Sequence, residues 1–594
     1  MAATASLNSL PRLPEPSSSL NGHAPPSAAL EAVGARPRRA QRRPTKQASY
    51  ELCNHAKAYL EGGQFACGYD FLYNLLAAGS SISTPAQPYI GFIAPPAYIA
   101  LAASLIAYPK ITTKTKSREA RNGSNAALRY LRCIHTTIDG PAYPIIRKAL
   151  GFSEENSRRR APAHRSAAAS LSPEPGGDVE RIAGEAANAE SLWTRAEDFW
   201  HVVGWAFNCS RSRKKRWARW KPWLGMMLDF LEADWDFCVR RSNDDESRSE
   251  AILQESLLWH YIVGNSRSAN RGARRRIVKA ILATATPESL KEYPEIWDKE
   301  TERPQRKKKD DRQLGKVDFE TGDMADYDSD TEMRDATADQ GDGDDSDNST
   351  DTTDDDGTIH NLHDAIERLG GTGAVELRQR LIALLAQVAA NLPTEFTSLS
   401  DFFDNILEDF IQLPTITFHA LLSTLRLPGL FQVAFCANLL LPLVSGTIPN
   451  YFHHEPTQQH FEATLLMLKG TNQSHATNAK ISLLLEQMLM YMMNEDALTP
   501  TDVLRAAMEA GIQARHGVYG TGKGKRGNAE EEKQAKVLKE ACSERMLGLL
   551  DLLEMAAGKS AQPLEQDKSG LAFLSFGSVS SLSPPPDSDT EEDG

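Results

Sequence analysis

Between Asp318 and Asp356 the chain carries 17 Asp or Glu residues, one basic residue (Arg334) and few apolar ones. Such a stretch buries too little apolar surface to offset the entropy of ordering it. It predicts a disordered acidic linker over 301–357 and leaves the rest of the 594 residues to build a core on either side. The formal charge is −13. Taking away −16 for this stretch and −5 for the tail Asp587–Gly594 leaves +8, so a mildly basic body carries two acidic appendages.

On both sides of the linker, apolar residues recur three and four apart, the period of a helix with one buried face. The pattern predicts helices over 50–60, 65–76, 97–107 and 125–137, and again over 377–390, 399–413, 418–425, 431–441, 461–468, 479–493 and 541–557. No alternating strand pattern appears. The expected class is all-α, built as irregular helical-repeat, α-solenoid-like units. No fixed repeat period is visible.

The expected order is a disordered basic arm over 1–46, a helical unit over 47–152, and a flexible loop over 153–187. A Trp-rich basic helical unit follows over 188–300, then the linker over 301–357. A C-terminal helical unit over 358–557 and a disordered acidic tail over 558–594 complete the chain.

The two most apolar runs, 90–108 and 427–444, are interrupted by Pro95 and Pro96 or by Gln432 and Asn438. Both fall short of the ~20 apolar residues a spanning helix needs, so they read as buried helices and no membrane association is expected. Seven scattered cysteines with no CxxC pair read as reduced thiols in a reducing compartment.

The segment from Arg211 to Trp223 places seven cations within eleven residues: Arg211, Arg213, Lys214, Lys215, Arg216, Arg219 and Lys221. They are interleaved with Trp217 and Trp220 and followed by Trp223. Cations supply phosphate contacts and indoles stack on bases, so this segment predicts an exposed surface for nucleic acid or an acidic partner. Pro222 is expected to open the helix that follows, with Trp223 and Trp235 in the core. A second element, Arg271, Arg274, Arg275 and Lys279, forms one helical stripe opposite Ala273, Ile277 and Ile281. An alternative occupant for this basic domain is the chain's own acidic run.

The N-terminal arm ends in Arg36, Arg38, Arg39, Arg42 and Arg43, a pattern that suits a nuclear import signal. Seven prolines in the arm work against the amphipathic helix of a mitochondrial leader. Lys307, Lys308 and Lys309 beside Arg306 form a second such cluster. Ser329, Thr331, Ser588 and Thr590 each precede acidic residues and suit an acid-directed kinase.

Motifs for catalysis are weak. Gly517 to Lys523 has phosphate-loop spacing, but Gly524 stands where a magnesium-binding hydroxyl is needed. His453, His454, Glu455 and His460 lack the spacing of a metal site. Cys133 and His135 point to different helix faces. Asp401, Asp404 and Glu408 form the wet face of an amphipathic helix. No catalytic residue, cofactor, metal or small-molecule substrate is expected.

The resulting functional expectation is a non-catalytic nuclear scaffold or adaptor subunit of a chromosome- or chromatin-associated complex. Its partners would be other protein subunits, with DNA or RNA as a further ligand of the basic Trp-rich unit. The alternative is an RNA-associated ribosome-assembly factor of the nucleus or nucleolus, and an enzyme without a recognisable motif is the third reading.

Overall fold

The computed structural model describes residues 42–84, 86–152, 181–264, 270–302, 361–446, 448–472, 474–517 and 529–558. Among them 68% lie in helices and 2% in strands, so the all-α class holds.

The first helices are α1 (Tyr50–Glu61), α2 (Phe65–Ala77), α3 (Pro96–Ala107), α4 (Arg118–Thr137) and α5 (Tyr143–Leu150). The Trp-rich part holds α6 (Phe199–Ser212), α7 (Lys214–Asp244), α8 (Ser249–Gln254), α9 (Leu257–Val263), α10 (Arg271–Ile281) and α11 (Pro287–Glu292). Beyond residue 360 come α12 (Leu362–Arg368), α13 (Thr372–Asn391), α14 (Leu399–Phe410), α15 (Thr415–Leu422) and α16 (Leu430–Leu440). The last are α17 (His475–Asn494), α18 (Asp502–His516) and α19 (Ala529–Ala556).

Local chemistry sets many of these boundaries. Pro96 sits in the first turn of α3, where its missing N–H costs nothing. Ser117 accepts the Ala120 N–H at 3.2 Å and starts α4 about two turns ahead of the apolar periodicity. Asp198, Asn270 and Ser398 cap α6, α10 and α14 in the same way. The expected helix over 461–468 is instead a short π-helical turn, Phe461–Leu465. Helix α18, unanticipated, is capped by Thr501.

Two boundaries need correction. Residues 42–46, inside the arm expected to be free, are packed into the described body. Strand β1 (Thr45–Gln47) pairs in parallel with β2 (Gly91–Ile93), Thr45 opposite Gly91 and Gln47 opposite Ile93. Pro222 lies inside α7 rather than opening it. The carbonyl that Pro222 leaves unbonded belongs to Ala218, whose exposed position lets water take the missing donor's place.

The long helix α7 is the hub. It packs against α3, α4, α6, α8, α9 and α13, touching helices from both sides of the acidic stretch. Buried apolar side chains form one continuous cluster from Ala48 to Leu550 across the expected unit divisions. No helix among the described residues is long and apolar enough to cross a membrane.

Candidate polyanion-binding surface

The start of α7 separates the cations of the basic segment into a buried set and a wet set. Arg216, Trp220 and Trp223 fall on one face and turn inward. Arg216 is 3% exposed, which corrects the expectation that it lies on the surface. Its Nε donates to Glu300 Oε1 at 2.6 Å and its Nη2 to the Ala107 carbonyl at 2.7 Å. The guanidinium sits over the rings of Trp220 and Trp297. Those rings stack on each other, 5.8 Å between centroids.

The indoles of the segment are likewise committed to the interior. Trp217, Trp220 and Trp223 are buried, and the Trp223 indole N–H donates to the Ala103 carbonyl at 3.0 Å. None can stack on a base without unfolding its surroundings, so the interleaving of Trp with Arg is the inner and outer faces of one helix.

The wet set differs residue by residue. Lys214 pairs with Glu367 at 3.3 Å, and Arg211 donates to the Thr284 carbonyl at 3.1 Å. Arg213 donates to the adjacent Ser212 carbonyl. Lys221 lies across Gly373 at the start of α13, where an added Cβ would fall 2.4 Å from its Nζ. Lys215 is exposed, one turn before Arg219. Arg219 is half-buried and donates to Asn125 Oδ1 at 3.0 Å.

Asn125 belongs to α4, one turn after Arg121. Burial pushes the Arg219 pKa down, and Arg121 and Arg216 push it further. Arg219 is therefore a half-buried guanidinium that feels two other positive charges, of which Arg216 is matched by Glu300 and Arg121 is not matched among the described residues. Among the described residues, no acidic side chain forms an ion pair with Lys215, Arg219 or Arg121. Lys114 and Lys116 follow Thr113, whose hydroxyl accepts from Arg216 at 3.2 Å. The sequence signal for this half of the surface, Lys114-Thr-Lys116-Ser-Arg118 followed by Arg121, went unread.

The second basic stripe is largely spent on the fold. Arg274 donates to the Phe396 carbonyl at 3.0 Å, Arg275 faces Glu408 at 3.9 Å and Lys279 pairs with Glu292 at 3.2 Å. Arg271 is exposed. These contacts tie α10 to its neighbours.

Of the expected import residues, Arg42 is exposed and donates to the Tyr143 hydroxyl at 3.1 Å. Arg43 is 3% exposed and donates to the Leu76 and Ala78 carbonyls, which corrects its assignment to a free signal. It closes the C-terminal end of α2, where carbonyls lack helical partners. Arg36, Arg38, Arg39, Ser329, Thr331, Ser588 and Thr590 lie outside the described residues.

The same capping recurs deep in the body. Arg378 donates to the carbonyls of Ile281, Leu369 and Ala283 at 2.9, 2.5 and 2.7 Å, with Phe207 stacked beneath it. Burial pulls its pKa down. Lys480 donates to Ile411 and Leu413 past the end of α14, and Arg515 to Leu466 and Leu468.

Burial pushes the thiols of Cys53, Cys209, Cys436 and Cys542 up, away from the reactive thiolate. His453, His454 and Glu455 are exposed, and no cluster among the described residues could hold a metal ion. Of the glycine-rich loop, residues 518–528 lie outside the described residues. Comparison with protein-family models, with curated proteins and with solved structures finds no match.

Proposed function

We propose that this chain is a non-catalytic scaffold subunit of a nuclear, chromosome- or chromatin-associated assembly, and that Lys215, Arg219 and Arg121 receive a polyanionic partner. The observation that supports the reading is Arg219, half-buried against Asn125 of α4 with Arg121 one turn away, neither of them ion-paired to a carboxylate among the described residues, while Glu300 is already taken by Arg216. Clustering like charges without a counter-ion is unfavourable unless an anion joins them. The partner fitted to this surface is an acidic protein segment, since the indoles that would read unstacked bases are internal.

Affinity purification from nuclei with and without nuclease tests the proposal. Stoichiometric proteins that survive nuclease and are lost from an Arg121→Glu, Lys215→Glu variant support it. Partners lost on RNase treatment would replace it with the ribosome-assembly alternative. Absence of the tagged protein from nuclei would remove the compartment.

A further inference from the structure

We infer that the acidic stretch Asp318–Asp356 of this same chain occupies the Lys215, Arg219 and Arg121 surface until an external partner displaces it. The inference rests on the surface proposed above and names what regulates it.

Three observations carry it. First, both ends of segment 303–360 are fastened to the helix that bears the surface. On the leaving side, the Glu300 carboxylate is held by Arg216, next in sequence to Lys215. On the returning side, Glu367 pairs with Lys214 in the first turn of α7, and the Leu369 carbonyl accepts from Ser210 near the end of the preceding helix, α6. The segment therefore leaves and re-enters beside the first turns of α7.

Second, length is no obstacle. Residues 303–317, between Glu302 and Asp318, reach on the order of 50 Å when extended. Helix α7 itself is about 46 Å long. The acidic side chains can therefore arrive at the surface from either end.

Third, the charges are complementary and the arrangement is intramolecular. The stretch carries a net −16, and the surface offers cations with no acidic partner among the described residues. A short tether holds one binding element near the other at an effective concentration of about millimolar. An external acidic segment of similar charge must compete against that concentration. Phosphate on Ser329 or Thr331 would strengthen the internal contact, since each adds about −1.5 to −2.

Two measurements on the full chain test this. The first is zero-length carbodiimide cross-linking, which joins a lysine amine to a carboxylate in direct contact. At about 50 mM salt, Lys215 should couple to acids within 318–356 of the same molecule. At about 1 M salt, where the screening length falls to about 3 Å, the product should disappear. Arg121→Glu should cut the yield several-fold, and Arg121→Lys should restore it. Coupling of Lys215 to other acids in place of 318–356, or a yield indifferent to salt and to residue 121, overturns the inference.

The second measurement is binding of heparin, used as a generic polyanion. A chain whose 17 acids in 318–356 are changed to Asn or Gln should bind at least about tenfold more tightly than wild type. Equal affinity, with Arg121→Glu weakening both, defeats self-occupancy and leaves the surface standing. Failure of both chains to bind, or binding insensitive to Arg121→Glu, defeats the surface and the inference with it.

Discussion

Arg216 and Glu300 meet in an ion pair that water barely reaches, the first 3% and the second 2% exposed. Glu300 Oε1 also accepts the Trp220 indole N–H at 3.2 Å, and Oε2 accepts the Trp297 backbone N–H at 3.3 Å. Four segments converge on this one carboxylate–guanidinium contact: the end of α3, the loop after it, the start of α7 and the chain before the acidic stretch.

Breaking that pair should be costly. Arg216→Met leaves the Glu300 charge buried without its partner and should reduce stability by about 3–5 kcal/mol. The double change Arg216→Met with Glu300→Leu should cost less than the single one, because no charge is then stranded. Urea denaturation of the variants measures both; a double variant weaker than Arg216→Met would contradict the account.

Arg378 holds three carbonyls and no carboxylate. Arg378→Met should destabilise by about 3 kcal/mol or more, since buried acceptors bonded to a cation lose their donors together. The effect should appear as a lower midpoint without loss of helical content in the folded state. A midpoint unchanged from wild type would mean that water replaces the guanidinium.

Exposed and buried cations of one segment should separate in experiment. Lys215→Ala should change stability by no more than about 0.5 kcal/mol, while lowering heparin affinity and flattening its salt dependence. Arg216→Ala should do the reverse, destabilising the fold. Equal stability loss in both would erase the distinction between the two faces of α7.

Acid should weaken the fold through its histidines. His201 accepts the Glu197 backbone N–H at Nδ1, 3.2 Å away, which leaves Nε2 to donate to the Pro294 carbonyl at 2.9 Å. Protonation of Nδ1 destroys the first bond, and burial pushes the pKa of His201 down. Burial does the same to His135 and His419. A histidine whose folded pKa lies below its unfolded value of about 6.5 contributes fully above that pH and loses its contribution as pH falls through it. Stability measured by denaturant should therefore drop between pH 7.5 and pH 5.5, and the drop should shrink in His201→Gln. A pH-independent midpoint over that window would refute the assignment.

The helical class was legible because a periodic apolar face is a local property. Pro95 and Pro96 announced α3, and the Phe402, Phe403, Ile406 and Phe410 stripe announced α14. Arg43 was unreadable because its burial depends on the distant end of α2, and a cluster of arginines beside prolines has the composition of a solvated arm. Arg216 was hidden differently. Pro222 suggested a helix start, which cut the stripe of Arg216, Trp220 and Trp223 in two. Carrying the helical period back through the proline places Arg216 on the inner face. Arg121 was missed because one cation on α4 means little until Asn125 brings α4 against Arg219.

The contacts made by α13 bear on what the peptide chain between residues 302 and 361 must do. Arg378 reaches the carbonyls of Ile281 and Ala283, and Arg380 grips Asp229 and Glu232. These attachments join the two flanking stretches through space, without using the covalent path between them. Two separately translated polypeptides, 1–302 and 361–594, should consequently find each other and reassemble. A protease that nicks the acidic stretch would then leave a stable two-chain particle, altered in how its basic face is tethered but not in how its core is held.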